Sequence, residues 1–151
     1  MQRYVAVVGS GTCSPQEEHA AEQVGSLLAR AGAVVVCGGL SGVMEAACRG
    51  ARHEGGLTVG ILPGGDRGAA NPDVVVAIAT GLGELRNGLV VRAADAVIAV
   101  GGEFGTLSEI GFALKLGKRV IGLATWQLSR EPDPIVRAAS AEEAVRFALE
   151  E

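Results

Sequence analysis

The stretch Asp95-Ala-Val-Ile-Ala-Val-Gly-Gly-Glu-Phe-Gly-Thr-Leu-Ser-Glu109 constrains the fold more than any other part of the chain. Ala96–Val100 is apolar, rich in β-branched residues and too short for a helix, which predicts a buried parallel strand. Gly101-Gly102 breaks the run, and Gly105-Thr106 opens a segment with Leu107, Ile110 and Leu114 at helical spacing. Strand, glycine loop and helix start together aim backbone N–H groups at an anion, and glycine lets that anion approach. A second reading competes. Thr106-Leu-Ser-Glu109 fits a capping box, in which Glu109 merely reaches back to the cap amide. The local pattern leaves both open.

The pattern recurs along the chain. Tyr4–Val8 reads as a strand followed by Gly9-Ser-Gly11, and Ser14-Pro-Gln-Glu17 starts a helix that runs to Gly32. Ala33–Cys37 is the next strand, broken by Gly38-Gly-Leu-Ser-Gly42, and Val43–Glu54 is helical. Strands follow at Thr58–Leu62 and Val74–Ala79, around a long loop from Pro63 to Pro72 of the kind that is usually functional. Leu82–Ala94 is expected to be a helix weakened by Gly83 and Gly88. Arg119–Ala124 is a sixth strand, Ile135–Ala138 a short edge strand, and Ser140 caps a last helix to Leu149. This alternation predicts an α/β fold: a doubly wound, Rossmann-like parallel sheet of about six to seven strands with helices on both faces, in one domain spanning 1–151. Ligands of such sheets bind at the carboxyl ends of the strands. Three of those ends are glycine-rich, so a phosphate-bearing ligand is expected there.

Composition narrows the partners. The net charge is −4, the pI is near 5.2, and Lys115 and Lys118 are the only lysines, which disfavours a nucleic-acid surface. Cys13, Cys37 and Cys48 lack metal spacing and are expected as reduced thiols in a cytoplasmic protein. No metal site is expected, and His19 and His53 read as exposed helix residues. No signal peptide or membrane span is apparent. Ser14 stands where a GxGxxG fingerprint needs its last glycine, and Cys37-Gly38 where a dinucleotide site needs an acid. NAD and FAD are therefore disfavoured, and neither a P-loop nor a GxSxG elbow is present.

Gly38-Gly-Leu-Ser-Gly-Val-Met44, Arg86-Asn87, Arg92-Ala-Ala-Asp95 and Gly101-Gly-Glu-Phe-Gly-Thr-Leu-Ser-Glu109 resemble the successive motifs of the LOG family, Rossmann-like proteins often mislabelled lysine decarboxylases. The resemblance spans roughly residues 4 to 124 and is strongest to a short branch akin to molybdenum cofactor carriers. A DNA-binding recombination protein shares the core. The resemblance implies cleavage of the N-glycosidic bond of nucleoside 5′-monophosphates, with Arg86 and Glu109 catalytic. Around them stand the candidate phosphate- or nucleotide-binding residues Gly9, Ser10, Gly38, Gly39, Gly42, Asn87, Gly102, Gly105 and Thr106. A carboxylate could stabilise an oxocarbenium-like state or orient water, and an arginine could hold phosphate or ribose.

The chain departs from the family pattern at the loop. Gly101 replaces a proline and Glu103 a glycine, Leu85 replaces an acid and Asn87 a base, and Lys115 a threonine. These changes bear on turnover more than on the pocket. Two functions stay open: a phosphoribohydrolase, or a non-catalytic carrier of a nucleotide-like or pterin-phosphate cofactor such as molybdenum cofactor. Neither requires a resident cofactor; the ligand is AMP-like or another phosphate ester. Lysine decarboxylation is rejected, because Lys115 and Lys118 more simply oppose a helix dipole. Met44 reads as core, Arg92 as structural, and Trp126 as covering either the pocket or a partner. A homodimer, or an assembly of dimers, is expected through the Leu82–Ala94 helix, whose leucines and valines spread over more than one face.

Overall fold

The computed structural model describes all residues, Met1–Glu151. Its strands are β1 (Tyr4–Gly9), β2 (Val34–Cys37), β3 (Thr58–Leu62), β4 (Val76–Ala79), β5 (Ala96–Val100), β6 (Arg119–Leu123) and β7 (Val136–Arg137). They form one seven-stranded sheet in the order β4-β3-β2-β1-β5-β6-β7, every pair parallel. The helices are α1 (Pro15–Arg30), α2 (Val43–His53), α3 (Arg86–Arg92), α4 (Phe104–Lys115) and α5 (Ala141–Leu149).

The side-chain period of the strands divides the interior in two. Val5 and Val7 of β1, with Val35 and Ile98, pack beneath α1, α2 and α5. Ala6 and Val8, with Val36 and Val97, pack beneath α3 and α4. The expected doubly wound architecture is therefore present, with seven strands. β1 lies between β2 and β5, so the chain order reverses there, and the crevice of such a sheet opens beside the carboxyl ends of these two strands.

Local signals explain most boundaries. Ser14 Oγ accepts from Glu17 N at 3.1 Å while Glu17 Oε1 accepts from Ser14 N, so the capping box is complete. Two expectations fail. The helix expected at Leu82–Ala94 is a 3-10 turn, Gly83–Leu85, followed by only seven residues of α-helix. Gly83 adopts a positive φ of 60°, which breaks the helical pattern. The second failure is at α4, which begins at Phe104 with Glu103 as its N-cap. Thr106 lies inside the helix, so Thr106-Leu-Ser-Glu109 is not a capping box. No helix is long and apolar enough to cross a membrane.

Candidate functional site

A cavity of about 190 Å³ lies at the carboxyl ends of β1 and β2 against the first turns of α3 and α4. Gly9 and Ser10 form one wall, Gly38 another, and Arg86, Asn87 and Glu109 project from the helices. Gly105 and Thr106 also line it. The topology thus brings together residues far apart in sequence, among them both candidate catalytic residues.

Arg86 leads α3 and lies over the second glycine loop. A Cβ on Gly38 would stand 2.7 Å from Arg86 Nη2 and 2.8 Å from Met44 Sδ, so a side chain there would displace the guanidinium and the thioether. Arg86 Nη1 donates to Asn87 Oδ1. Asn87 Nδ2 donates to Ser108 Oγ at 3.2 Å, and the Ser108 hydroxyl donates to the Gly105 carbonyl at 2.6 Å. This chain of bonds ties the arginine to the start of α4. Arg86 Nε is buried and has no hydrogen-bond partner. A buried charged donor with nothing to bond is costly.

Glu109 is 7% exposed and makes neither a hydrogen bond nor an ion pair with Arg86. Burial pushes its carboxyl up to about 8, against the opposing pull of Arg86. Cation and acid therefore share one cavity without neutralising each other by contact, and the capping role that would have made Glu109 structural is excluded.

The loop from β5 to α4 is shaped by close packing. Gly101 has φ +55°, and a Cβ there would fall 1.6 Å from Glu17 Oε2. The α1 capping carboxylate thus occupies the space a side chain would need. Gly102 has φ +111°, and its Cβ would strike the Thr106 side chain at 2.5 Å. Gly102 fronts the neighbouring crevice rather than the Arg86 cavity. Gly39 and Gly42 do not line that cavity either. Gly39 turns the chain against Leu62, and Gly42 lets α2 begin against the Ser10 and Gly11 backbone.

Other residues were not legible as part of the site. Met44 reads as core beside the second glycine loop, yet it lines the cavity. Buried Asn71, in the long loop after β3, donates its Nδ2 to Leu40 O at 2.8 Å, while its own backbone N–H donates to Gly39 O. It pins the second glycine loop, a role visible only once the loops meet. Beneath that loop, the Cys37 and Cys48 thiols are buried with their sulfurs 3.5 Å apart. Lys118 donates to the carbonyls of Arg92 and Ala94, closing the end of α3. His19 and His53 are exposed, and no group of three or more His, Cys, Asp or Glu side chains is placed to hold a metal ion.

The fold and sequence have recognisable relatives. The molybdenum cofactor binding protein of the phototrophic bacterium Rippkaea orientalis superposes with a TM-score of 0.91 at 36% identity, covering 97% of this chain and 95% of that one. The molybdenum cofactor carrier protein of Chlamydomonas reinhardtii gives 0.89 at 31% identity, with 97% and 96% coverage. DNA processing protein A of Helicobacter pylori shares the fold alone, at 19% identity, a TM-score of 0.72 and coverage of 97% and 80%. An uncharacterised Archaeoglobus fulgidus protein is 46% identical over 119 residues, 79% of this chain and 78% of its own. The SLOG cluster4 family model matches residues 2–148, and the chain belongs to that family.

Proposed function

We propose that this chain is a binding or carrier protein for a phosphate-bearing pterin or nucleotide, the molybdenum cofactor class included. The observation that carries the reading is Arg86 lining a glycine-walled cavity with no carboxylate paired to it and its Nε without a hydrogen-bond partner. A phosphate ester placed there would accept from the guanidinium and from nearby backbone N–H groups, with Gly105 allowing close approach. The donor set fits the phosphate end of such a cofactor. Arg86 would hold the charge, Asn87 and Ser108 would keep the guanidinium in place, and Ser10 supplies a hydroxyl at the rim. The solved relatives named for molybdenum cofactor binding support the ligand class.

Native mass spectrometry of the protein as purified, with accurate mass of anything released on denaturation, is the direct test. A retained phosphorylated pterin or nucleotide is expected. An apo-protein whose melting temperature responds to neither AMP nor a phosphorylated pterin would overturn the reading.

One observation favours a second reading, hydrolysis of a nucleoside 5′-monophosphate. Glu109 is buried in the same cavity, free of structural bonds and poised near neutral pH, as a general acid or base would be. Incubation with AMP would then release adenine, and Glu109→Ala would abolish that release. AMP binding without adenine would leave the carrier function alone. The functional unit is proposed to be a homodimer built on the Leu82–Ala94 segment, where Leu82, Leu85 and Leu89 are exposed beside Arg86.

A further inference from the structure

The Arg86 cavity is too small for the ligand it is proposed to serve. It holds about 190 Å³, whereas sites that enclose a whole small molecule measure roughly 300–1,000 Å³. It would take a phosphate with a sugar-sized neighbour and leave the rest outside. At Ser10 and Glu103 it adjoins a second crevice of about 650 Å³, which those two residues also line. That crevice spreads over the carboxyl ends of β5 and β6, with Trp126 in its wall.

Resting on the phosphate-ligand reading above, we infer that the two cavities form one bipartite site in which Trp126 is the platform for the ligand's planar heterocycle. Electrostatics sets the direction of binding. Arg86 marks the inner cavity as the anionic end. Glu17 lines the outer crevice, which holds no arginine or lysine, and Glu103 stands where the two cavities meet, so a phosphate is disfavoured in the outer crevice while an uncharged purine or pterin with N–H donors is suited to it. Arg137, which donates to the Trp126 carbonyl at 2.8 Å, is already paired with Asp133.

The indole is held for that task. Its Nε1 donates to the Glu103 carbonyl at 3.0 Å, and its ring lies 5.4 Å from the Phe104 ring at an interplanar angle of 38°. One residue earlier, Thr125 Oγ1 donates to the Gly101 carbonyl at 2.5 Å. These bonds join the end of β6 to the loop that begins α4, so the aromatic wall and the inner cavity keep a fixed spacing. Ala124, between β6 and Thr125, takes φ +49°, a left-handed conformation that a non-glycine residue rarely adopts. The chain accepts that conformation where it turns Trp126 towards the crevice. A held aromatic face loses little freedom when a ring stacks on it.

Trp126 is the only tryptophan, so its fluorescence reports this position and no other. Three probes separate the two subsites: ribose 5-phosphate, AMP, and a pterin bearing a side-chain phosphate ester. Calorimetry gives affinity, and fluorescence reports stacking. Ribose 5-phosphate is expected to bind weakly without quenching, and AMP or the pterin to bind more tightly with quenching. Trp126→Ala should weaken the ring-bearing probe about 5- to 150-fold, as loss of one base–aromatic stack does, and leave ribose 5-phosphate unchanged. Trp126→Phe should restore most of the affinity. A ring-bearing probe that binds wild type without quenching and binds Trp126→Ala equally well overturns the second subsite. So does ribose 5-phosphate binding as tightly as both larger probes. If none of the three binds the wild type, the phosphate-site reading itself falls and the bipartite site with it.

Discussion

Glu109 lacks what usually keeps a buried carboxylate ionised, since no donor or paired cation touches it and desolvation raises it from 4.5 to about 8. The sign of the linkage follows. A raised folded-state value means that the native protein holds this proton more tightly than the unfolded chain. Its contribution to stability is full below pH 4.5 and is lost as pH rises to about 8, with a slope of up to about 1.4 kcal/mol per pH unit. Glu109→Gln should abolish that slope, so its melting temperature should gain on wild type steadily between pH 5 and about pH 8. Parallel profiles for the two proteins would show that the carboxyl titrates normally. Anion binding should follow the same proton, weakening in wild type as Glu109 ionises and holding level in Glu109→Gln. Arg86 acts from the opposite side. Arg86→Met keeps the stem that packs over Gly38 and removes the charge, so affinity for a phosphate ester should fall about 10- to 100-fold, the worth of a charged hydrogen bond. Equal affinity in a calorimetric titration would take Arg86 out of the site.

At the scale of elements, the glycines between β5 and α4 divide into positions that shape the loop and one that lines the cavity. Gly102 is needed for its positive φ and for Thr106 beneath it, so a substitution there tests folding more than binding. Gly105 is different. An added Cβ would meet only Asn87 Nδ2, at 4.0 Å, and the position lines the cavity. Gly105→Leu should therefore fold with a melting temperature near that of wild type and lose the stabilisation given by AMP or a pterin phosphate. Undiminished ligand stabilisation would place the phosphate elsewhere. β1, β2 and β5 were legible because each is a short, β-branched apolar run ended by glycine, and the capping signals of α1 and α5 lie wholly within their own turns. The start of α4 was not legible. Thr106 and Glu109 have the composition of a cap, but Gly101 and Gly102 turn the chain early, and exposed Phe104 opens the helix without a side-chain cap. The Arg86–Glu109 pairing came from family resemblance, because only the sheet order brings α3 and α4 side by side. Met44 escaped for a related reason: an apolar residue beside a loop reads as core, and the sequence cannot say that part of that interior is a cavity.

The whole molecule leaves apolar surface uncovered by its own packing, on edge strand β4 at Val76 and Ile78 and around α3. Val90 and Val91 of α3 are fully buried under the sheet, whereas Leu82, Leu85 and Leu89 are 48%, 77% and 40% exposed. Phe112 of α4, 49% exposed, comes close to Gly88 and extends the same surface. The surplus apolar residues foreseen on this segment are thus real, but they are the leucines and not Val90, so Val90→Glu would break the core rather than an interface. A second copy of this chain is the proposed cover, because a two-fold interface needs only one self-complementary patch. Leu85 directly precedes Arg86, and the short α3 holds few bonds of its own to fix that end. Covering Leu85 and Leu89 would hold the guanidinium over Gly38, so assembly and affinity should change together. Light scattering at micromolar concentration is expected to give a dimer or a multiple of one. Leu85→Glu combined with Leu89→Glu should give folded monomers that bind a phosphate ester more weakly than wild type. Since both side chains are exposed in the single chain, the double variant should keep its circular dichroism spectrum, which separates loss of assembly from loss of fold. A wild-type monomer under those conditions, or a double variant that stays dimeric, would overturn the interface. A folded monomer with unchanged affinity would keep the interface and uncouple it from the site.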